Sequence, residues 1–227
     1  MGDFLSANSY FGIFMTLAAF AAGRVMQSRW KSPLLNPILV AAALIIGVLL
    51  STGISVERYQ ESCQPLQYLL TPATICFAVS LYEQLGKLKK HLPAILAGVA
   101  AGTVASLLSI RLMCTAFGME RVLTISLLPK SITTAIGMAL SEEAGGIAAL
   151  TTAAIVLTGI LGNMFGPLLC KWFRLTDPIA QGVAFGTASH AIGTSKAAEL
   201  SELAGAVSSL SLTFAGLITA VLYSFLI

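Results

Sequence analysis

Between Glu143 and Lys171 the chain carries no charged side chain, and none follows Glu202. A membrane span needs about 20 apolar residues to cross roughly 30 Å of hydrocarbon, and each of these stretches exceeds that length. Other apolar segments run near 10–27, 35–53, 66–85, 93–114, 121–141 and 180–200, joined by short loops. Of the 227 residues only 10% are charged and 56% are hydrophobic, whereas soluble domains carry roughly 25% charged residues. A water-facing surface cannot be built from this composition. The expected fold is an all-α membrane protein, a polytopic helical bundle with about six to eight membrane segments. Residues 1–227 are expected to form a single integral membrane domain, with four spans in 10–114 and two composite units in 121–227.

Two polar stretches interrupt the apolar pattern. Thr133-Thr134-Ala135-Ile136-Gly137 and Ser189-His190-Ala191-Ile192-Gly193 place hydroxyls, a small residue and a glycine where an ordinary span carries leucine. Polar groups at membrane depth cost several kcal/mol each unless something satisfies them. The two stretches are read as the two lips of one binding site.

Charge supplies the topology. Basic residues cluster at Arg24, Arg29 and Lys31, at Lys87, Lys89 and Lys90, and at Lys171 with Arg174. The positive-inside rule assigns all three clusters to the cytoplasm and the N-terminus to the outside. Full crossings throughout would put Lys171 outside and Glu142 with Glu143 inside, against the rule. The conflict disappears if 121–141 re-enters from the outer side as two half-helices and 180–200 dips in from the inner side; the alternative keeps full crossings and accepts the charge anomaly in this loop. The Ala-Ile-Gly triplets of the two polar stretches recur at one constant offset, and Ala144-Gly145 returns as Ala204-Gly205 slightly further on. Each copy reads as a broken segment, a small-residue linker and a full span. An inverted repeat is therefore expected, with the substrate site where discontinuous helices meet. The competing reading is chance recurrence of residues common in membrane helices.

Candidate site residues follow from this frame. Pro129 breaks or starts a helix, and a half-helix beginning there would aim free N–H groups and a partial positive charge inward. Lys130 adds a full charge, and Ser131, Thr133 and Thr134 add hydroxyls, a combination suited to a small carboxylate; the blander alternative is a snorkelling lysine and back-bonded hydroxyls. Gly137 closes the first stretch. In the second, Thr187, Ser189, Gly193, Thr194 and Ser195 surround His190, an imidazole able to donate to a substrate oxygen or relay a proton; the blander alternative is a histidine merely hydrogen-bonded within the core. Asn163 either lines the site or glues helices. Asn36 and Thr71, each before a proline, mark helix starts or unwound points near the site. Glu199 either pairs with Lys196 on one helix face or, like Glu202, couples proton movement.

Other classes are excluded or disfavoured. The net charge of +3 resides mainly in short loops and does not indicate nucleic-acid affinity. The four cysteines (Cys63, Cys76, Cys114 and Cys170) show no metal-ligand spacing; Cys76 and Cys170 are expected to pack as small apolar groups. The N-terminus, with Asp3 as its only early charge, does not read as a signal peptide. No nucleophile–base–orienter set, P-loop or Rossmann fingerprint is present, so an enzyme is not expected, nor any cofactor or metal.

Three runs carry a family resemblance: Ser32-Pro33-Leu34-Leu35-Asn36-Pro37, Leu128-Pro129-Lys130-Ser131-Ile132-Thr133-Thr134, and Gly186-Thr187-Ala188-Ser189-His190-Ala191-Ile192-Gly193-Thr194. Together they resemble the LrgB/CidB family, over nearly the whole chain. Members often place proline after the two threonines, where this chain has Ala135, so the first break is expected to rest on Pro129 and Gly137. The resemblance implies a bacterial cytoplasmic membrane protein with one of two roles. One is a holin/antiholin-like modulator of murein hydrolase activity and autolysis, working with a small LrgA/CidA-type membrane partner. The other, seen in the LrgB-like half of the plastid glycolate/glycerate translocator, is movement of small monocarboxylates such as glycolate, glycerate, lactate or pyruvate. Two matched broken segments favour the transporter, working by alternating access with a proton or sodium as the undetermined coupling ion. A homo-oligomer in the lipid bilayer is expected in either case.

Overall fold

The computed structural model describes residues 10–30 and 35–227. Asp3, Lys31 and the start of the Ser32–Pro37 run lie outside the described residues. All regular structure in the described residues is helical. The chain divides into two compact units, Met1–Cys76 and Phe77–Ile227.

The first unit holds α1 (Phe11–Trp30), α2 (Pro37–Thr52), α3 (Val56–Ser62) and α4 (Gln64–Gln67), and the boundary falls within α5 (Leu70–Glu83). Asn36 caps α2 with its side chain, accepting from the Ile38 N–H at 2.9 Å, and Pro37 fills the first helical position, where a missing N–H costs nothing. The pairing of α1 with α2 relies on Gly23, where a Cβ would meet the Pro37 carbonyl oxygen at 2.7 Å. Thr16 Oγ1 lies 2.7 Å from the Tyr59 hydroxyl and ties α1 to α3.

The second unit continues with α6 (Leu85–Ala116), α7 (Arg121–Leu127), α8 (Thr134–Glu143), α9 (Ala148–Trp172), α10 (Pro178–Leu200) and α11 (Glu202–Leu226). Lys89 and Lys90, expected in a loop, lie on the first turns of α6, which runs on through Pro93. The extended Ser201 alone separates α10 from α11, and its hydroxyl caps α11 by accepting from the Ala204 N–H at 3.0 Å. The two helices can then pack backbone to backbone because Gly182 and Gly186, spaced as in a GxxxG seam, meet Ala204, Val207 and Ser208 of α11. One apolar core joins Ile95 and Val99 of α6 to Val207 and Ala215 of α11. A second joins Leu107 and Ile110 of α6 to Ile125 of α7 and Tyr223 of α11, and the Tyr223 hydroxyl donates to the Ile125 carbonyl at 2.8 Å.

Among the described residues four helices are long and apolar enough to cross a membrane: Phe11–Trp30, Leu88–Ala116, Ala148–Trp172 and Glu202–Leu226. The segment expected at 66–85 is instead divided between α4 and α5, and α5, at 14 residues, spans only about 21 Å at 1.5 Å per residue. Cys170 is buried as expected, whereas Cys76 is exposed.

Candidate functional site

Both polar stretches are broken in the structure, in different ways. Between α7 and α8 the chain leaves the helix and runs through a turn at residues 128–133, held by Lys130 N–H to Leu127 O at 3.2 Å and Ile132 N–H to Pro129 O at 3.4 Å. The second break is a single residue. Within α10, His190 adopts φ 42° and ψ −144°, so the element is two helical pieces joined at a kink. A β-carbon makes this region costly for any residue but glycine, by about 1–3 kcal/mol.

Helix α9 is the element on which both polar stretches converge. The His190 ring lies on it, with Nε2 2.7 Å from the Ile155 carbonyl oxygen; since the carbonyl only accepts, Nε2 carries the proton. The ring fits because α9 has a glycine beneath it: a Cβ on Gly159 would sit 2.5 Å from Nε2. From the other side, the Ile155 side chain fills the space above Gly137, where a Cβ would lie 2.6 Å from its Cδ1 and 3.3 Å from the Pro129 carbonyl oxygen. Gly137 thus lies inside α8, with its N–H bonded to Thr133 O at 2.9 Å. It is a packing glycine rather than part of the break.

The expected half-helix N-terminus also moves. Pro129, Lys130 and Ser131 belong to the turn, and α8 starts at Thr134 with Thr133 as its N-cap. The Thr133 hydroxyl makes no capping bond, and both threonines are half-buried. Lys130 Nζ donates to Ser131 Oγ at 3.0 Å, and Ser131 Oγ lies 3.1 Å from Ser106 Oγ on α6. Ile155 of α9 links the two stretches, its carbonyl meeting His190 and its side chain packing on Gly137, and the polar groups around this link form the polar centre.

Other side chains brace the second break. Thr194 donates to the His190 carbonyl at 3.0 Å, satisfying an acceptor at the kink, and lies 2.8 Å from Ser208 Oγ on α11. Asn163 Nδ2 donates to the Ile192 carbonyl at 3.1 Å, so it joins α9 to the second half of α10. Ser189 is buried against Gly162 of α9 and Gly193 of its own helix. Thr187 bonds back to the Val183 carbonyl at 2.8 Å and packs on Gly102.

Two expected site residues of the second unit fall away from the breaks, and two others belong to the first unit. Ser195 is exposed and bonds back to the Ile192 carbonyl at 2.7 Å. Glu199 pairs with Lys196 at 2.7 Å, its side chain 63% exposed, which is the ion-pair reading. Asn36 caps α2 and Thr71 is exposed in the first turn of α5, both in the first unit.

Sequence reasoning missed the hydroxyls that α6 and α11 contribute. Thr103, Ser106, Ser131, Thr187 and Thr219 line a cavity of about 10 Å³, room for roughly one water and too small for a carboxylic acid. Thr103 Oγ1 is buried and, among the described residues, has no hydrogen-bond partner. The spacing of Thr103 and Ser106 on one helical face was the available signal.

Chains of similar sequence give this arrangement a family. The Bacillus subtilis protein YxaC is 38% identical over 201 residues, covering 88% of this chain and 87% of its own. YwbG of the same organism is 36% identical over 207 residues, covering 91% and 92%. Antiholin-like protein LrgB of Bacillus mycoides is 36% identical over 213 residues, covering 93% of each. No solved structure matches the chain. The LrgB-like family itself matches across residues 16–227, so the chain belongs to the LrgB-like family and is a multi-pass membrane protein.

Proposed function

We propose that the chain acts as an antiholin-like membrane protein of the LrgB type, restraining murein hydrolase activity and autolysis. The observation that carries this reading is the near full-length similarity to relatives with the antiholin-like name, 36% identity over 93% of both chains. On this reading it resides in a bacterial cytoplasmic membrane with its N-terminus outside, assembles as a homo-oligomer and works with an LrgA/CidA-type small membrane protein. The test is detergent-induced autolysis of cells expressing the chain with and without such a partner. Slowed lysis and weaker murein hydrolase bands in zymograms are expected; an unchanged lysis rate in both arms overturns the reading.

A second reading has its own support in the polar centre. Two helix breaks carry buried hydroxyls, a lysine bonded to Ser131 and an imidazole seated on α9, features typical of transporter sites. This supports movement of a small monocarboxylate anion, with Lys130 and Ser131 facing the carboxylate and His190 at the opposite lip. Residues 121–170 and 178–226 would be the two facing units of an inverted repeat, each a broken segment followed by a span. Together with the spans within residues 10–114 these units would make up the six to eight membrane segments of a single domain. The small cavity would have to open for a substrate to enter, as alternating access requires. Uptake of labelled C2–C4 monocarboxylates into proteoliposomes is the test. Saturable uptake lost in Lys130→Ala and His190→Ala supports it; absence of uptake with and without the partner overturns it.

A further inference from the structure

A groove of about 660 Å³ runs between the C-terminal half of α9 and the first half of α10, from Gly162 and Ser189 beside the second break to Trp172 and Leu175. Its walls are apolar, with Leu161, Phe165 and Trp172 on one side and Ala184 and Ala188 on the other. Leu161 and Trp172 are exposed within it. At its end the groove shares Cys170 and Leu175 with a second cavity, about 440 Å³, whose lining includes Lys171, Arg174, Thr176 and Gln181. The apolar groove and the basic pocket thus adjoin at Cys170 and Leu175.

The basic end is free to bind. Among the described residues neither Lys171 nor Arg174 forms an ion pair. The carboxylate in this turn, Asp177, is engaged as the N-cap of α10, its Oδ1 accepting from Ile179 at 2.8 Å and Ala180 at 2.9 Å. Gln181 Nε2 donates to the Leu175 carbonyl at 2.7 Å and braces the pocket wall.

The backbone at Arg174 also departs from the chain's own pattern. Helix α9 ends in a Schellman turn, with Leu175 N–H on Cys170 O at 2.8 Å and Arg174 N–H on Lys171 O at 3.2 Å. That motif needs a left-handed residue, normally glycine. The same turn after α6 uses Gly118 (φ 61°) and after α8 uses Gly145 (φ 82°), but after α9 Arg174 takes φ 54°. Here an arginine takes the left-handed conformation for which the chain's other turns use glycine, at a backbone cost of about 1 kcal/mol or more.

We propose that this groove binds one anionic phospholipid, with its acyl chains along α9 and α10 and its phosphate held between Lys171 and Arg174. A basic pocket adjoining an apolar groove matches an anionic headgroup joined to hydrocarbon. A zwitterionic lipid would leave the two cations uncompensated, and free phosphate would make no use of the groove. Trp172 stands at the mouth, where indole rings favour the headgroup level.

The chain has two tryptophans, so Trp30→Phe leaves Trp172 as the reporter in the full-length protein. In phosphatidylcholine nanodiscs, phosphatidylglycerol with brominated chains should quench Trp172 at a mole fraction on the order of tenfold lower than brominated phosphatidylcholine does. Arg174→Gly and Lys171→Gln should each reduce that preference about fivefold, with helicity unchanged. Ala188→Phe, which fills the groove, should weaken quenching by both lipids. Arg174→Asn, which tolerates the left-handed turn, serves if Arg174→Gly does not fold. Equal quenching by the two lipids in the parent, or full preference in the Lys171→Gln/Arg174→Gly double variant, overturns the proposal.

Discussion

His190 and Ile155 form the junction of the second unit: Nε2 of the imidazole donates to the Ile155 carbonyl across 2.7 Å, while the Ile155 side chain packs on Gly137 of the opposite stretch. One residue of α9 therefore touches both polar stretches, through its backbone on one side and its side chain on the other. Substitutions around it separate backbone strain, packing and hydrogen bonding.

The strain at His190 predicts an order of variants. His190→Ala loses the bond to Ile155 and keeps a β-carbon at φ 42°, whereas His190→Gly loses the bond but removes the backbone penalty. His190→Gly should therefore be the more stable of the two by about 1–2 kcal/mol, read as the difference in thermal unfolding in detergent.

Gly159→Ala should disturb the same junction from below. The added methyl would contact Nε2 at 2.5 Å, displacing the ring and costing about 1–3 kcal/mol. Gly47→Ala is the control, since nothing lies within 4 Å of the place its methyl would take; there helicity should be kept and stability unchanged or raised by up to about 1 kcal/mol.

Thr194 and Ser208 offer a double-variant cycle. Thr194→Val removes the donor to the His190 carbonyl and the partner of Ser208 at 2.8 Å. A loss of about 1–2 kcal/mol is expected. Combined with Ser208→Ala, the cycle should give a coupling of about 0.6 kcal/mol, the usual scale for hydroxyls between membrane helices; strictly additive losses would mean that the two hydroxyls act independently.

Glu199→Gln tests the ion-pair reading. The side chain is 63% exposed and, among the described residues, bonded only to Lys196, so stability should change by less than about 0.5 kcal/mol. If monocarboxylate uptake is observed, its pH dependence should survive the substitution; loss of that dependence would restore Glu199 as a coupling group.

Hydrophobic length made the helical class legible, and polar residues inside apolar runs pointed to both interruptions. Their form was harder to read. Glycine is the usual cue for a break, yet Gly137 and Gly193 serve close packing and the strained residue is a histidine. A positive φ at a non-glycine is dictated by tertiary contacts, here those of Ile155, Thr194 and Asn163, and leaves no local signature. Pro129 did mark the first break, but six turn residues follow α7 before α8 begins, because proline stops one helix without starting the next. Thr103 and Ser106 were passed over because hydroxyls in apolar helices usually bond back to their own turn, and only the fold turns these two towards Ser131. Lys196 with Glu199 was legible outright, since three-residue spacing alone brings such a pair together.

The bend at His190 is a loaded spring with a latch. A backbone penalty of about 1–3 kcal/mol pulls α10 towards a straight rod, and an imidazole bond of about 1 kcal/mol, helped by Thr194 and Asn163, holds it crooked. Because the opposing quantities are of similar size, the crook depends on that bond and its two helpers, while Gly182 and Gly186 seat the piece before it on α11.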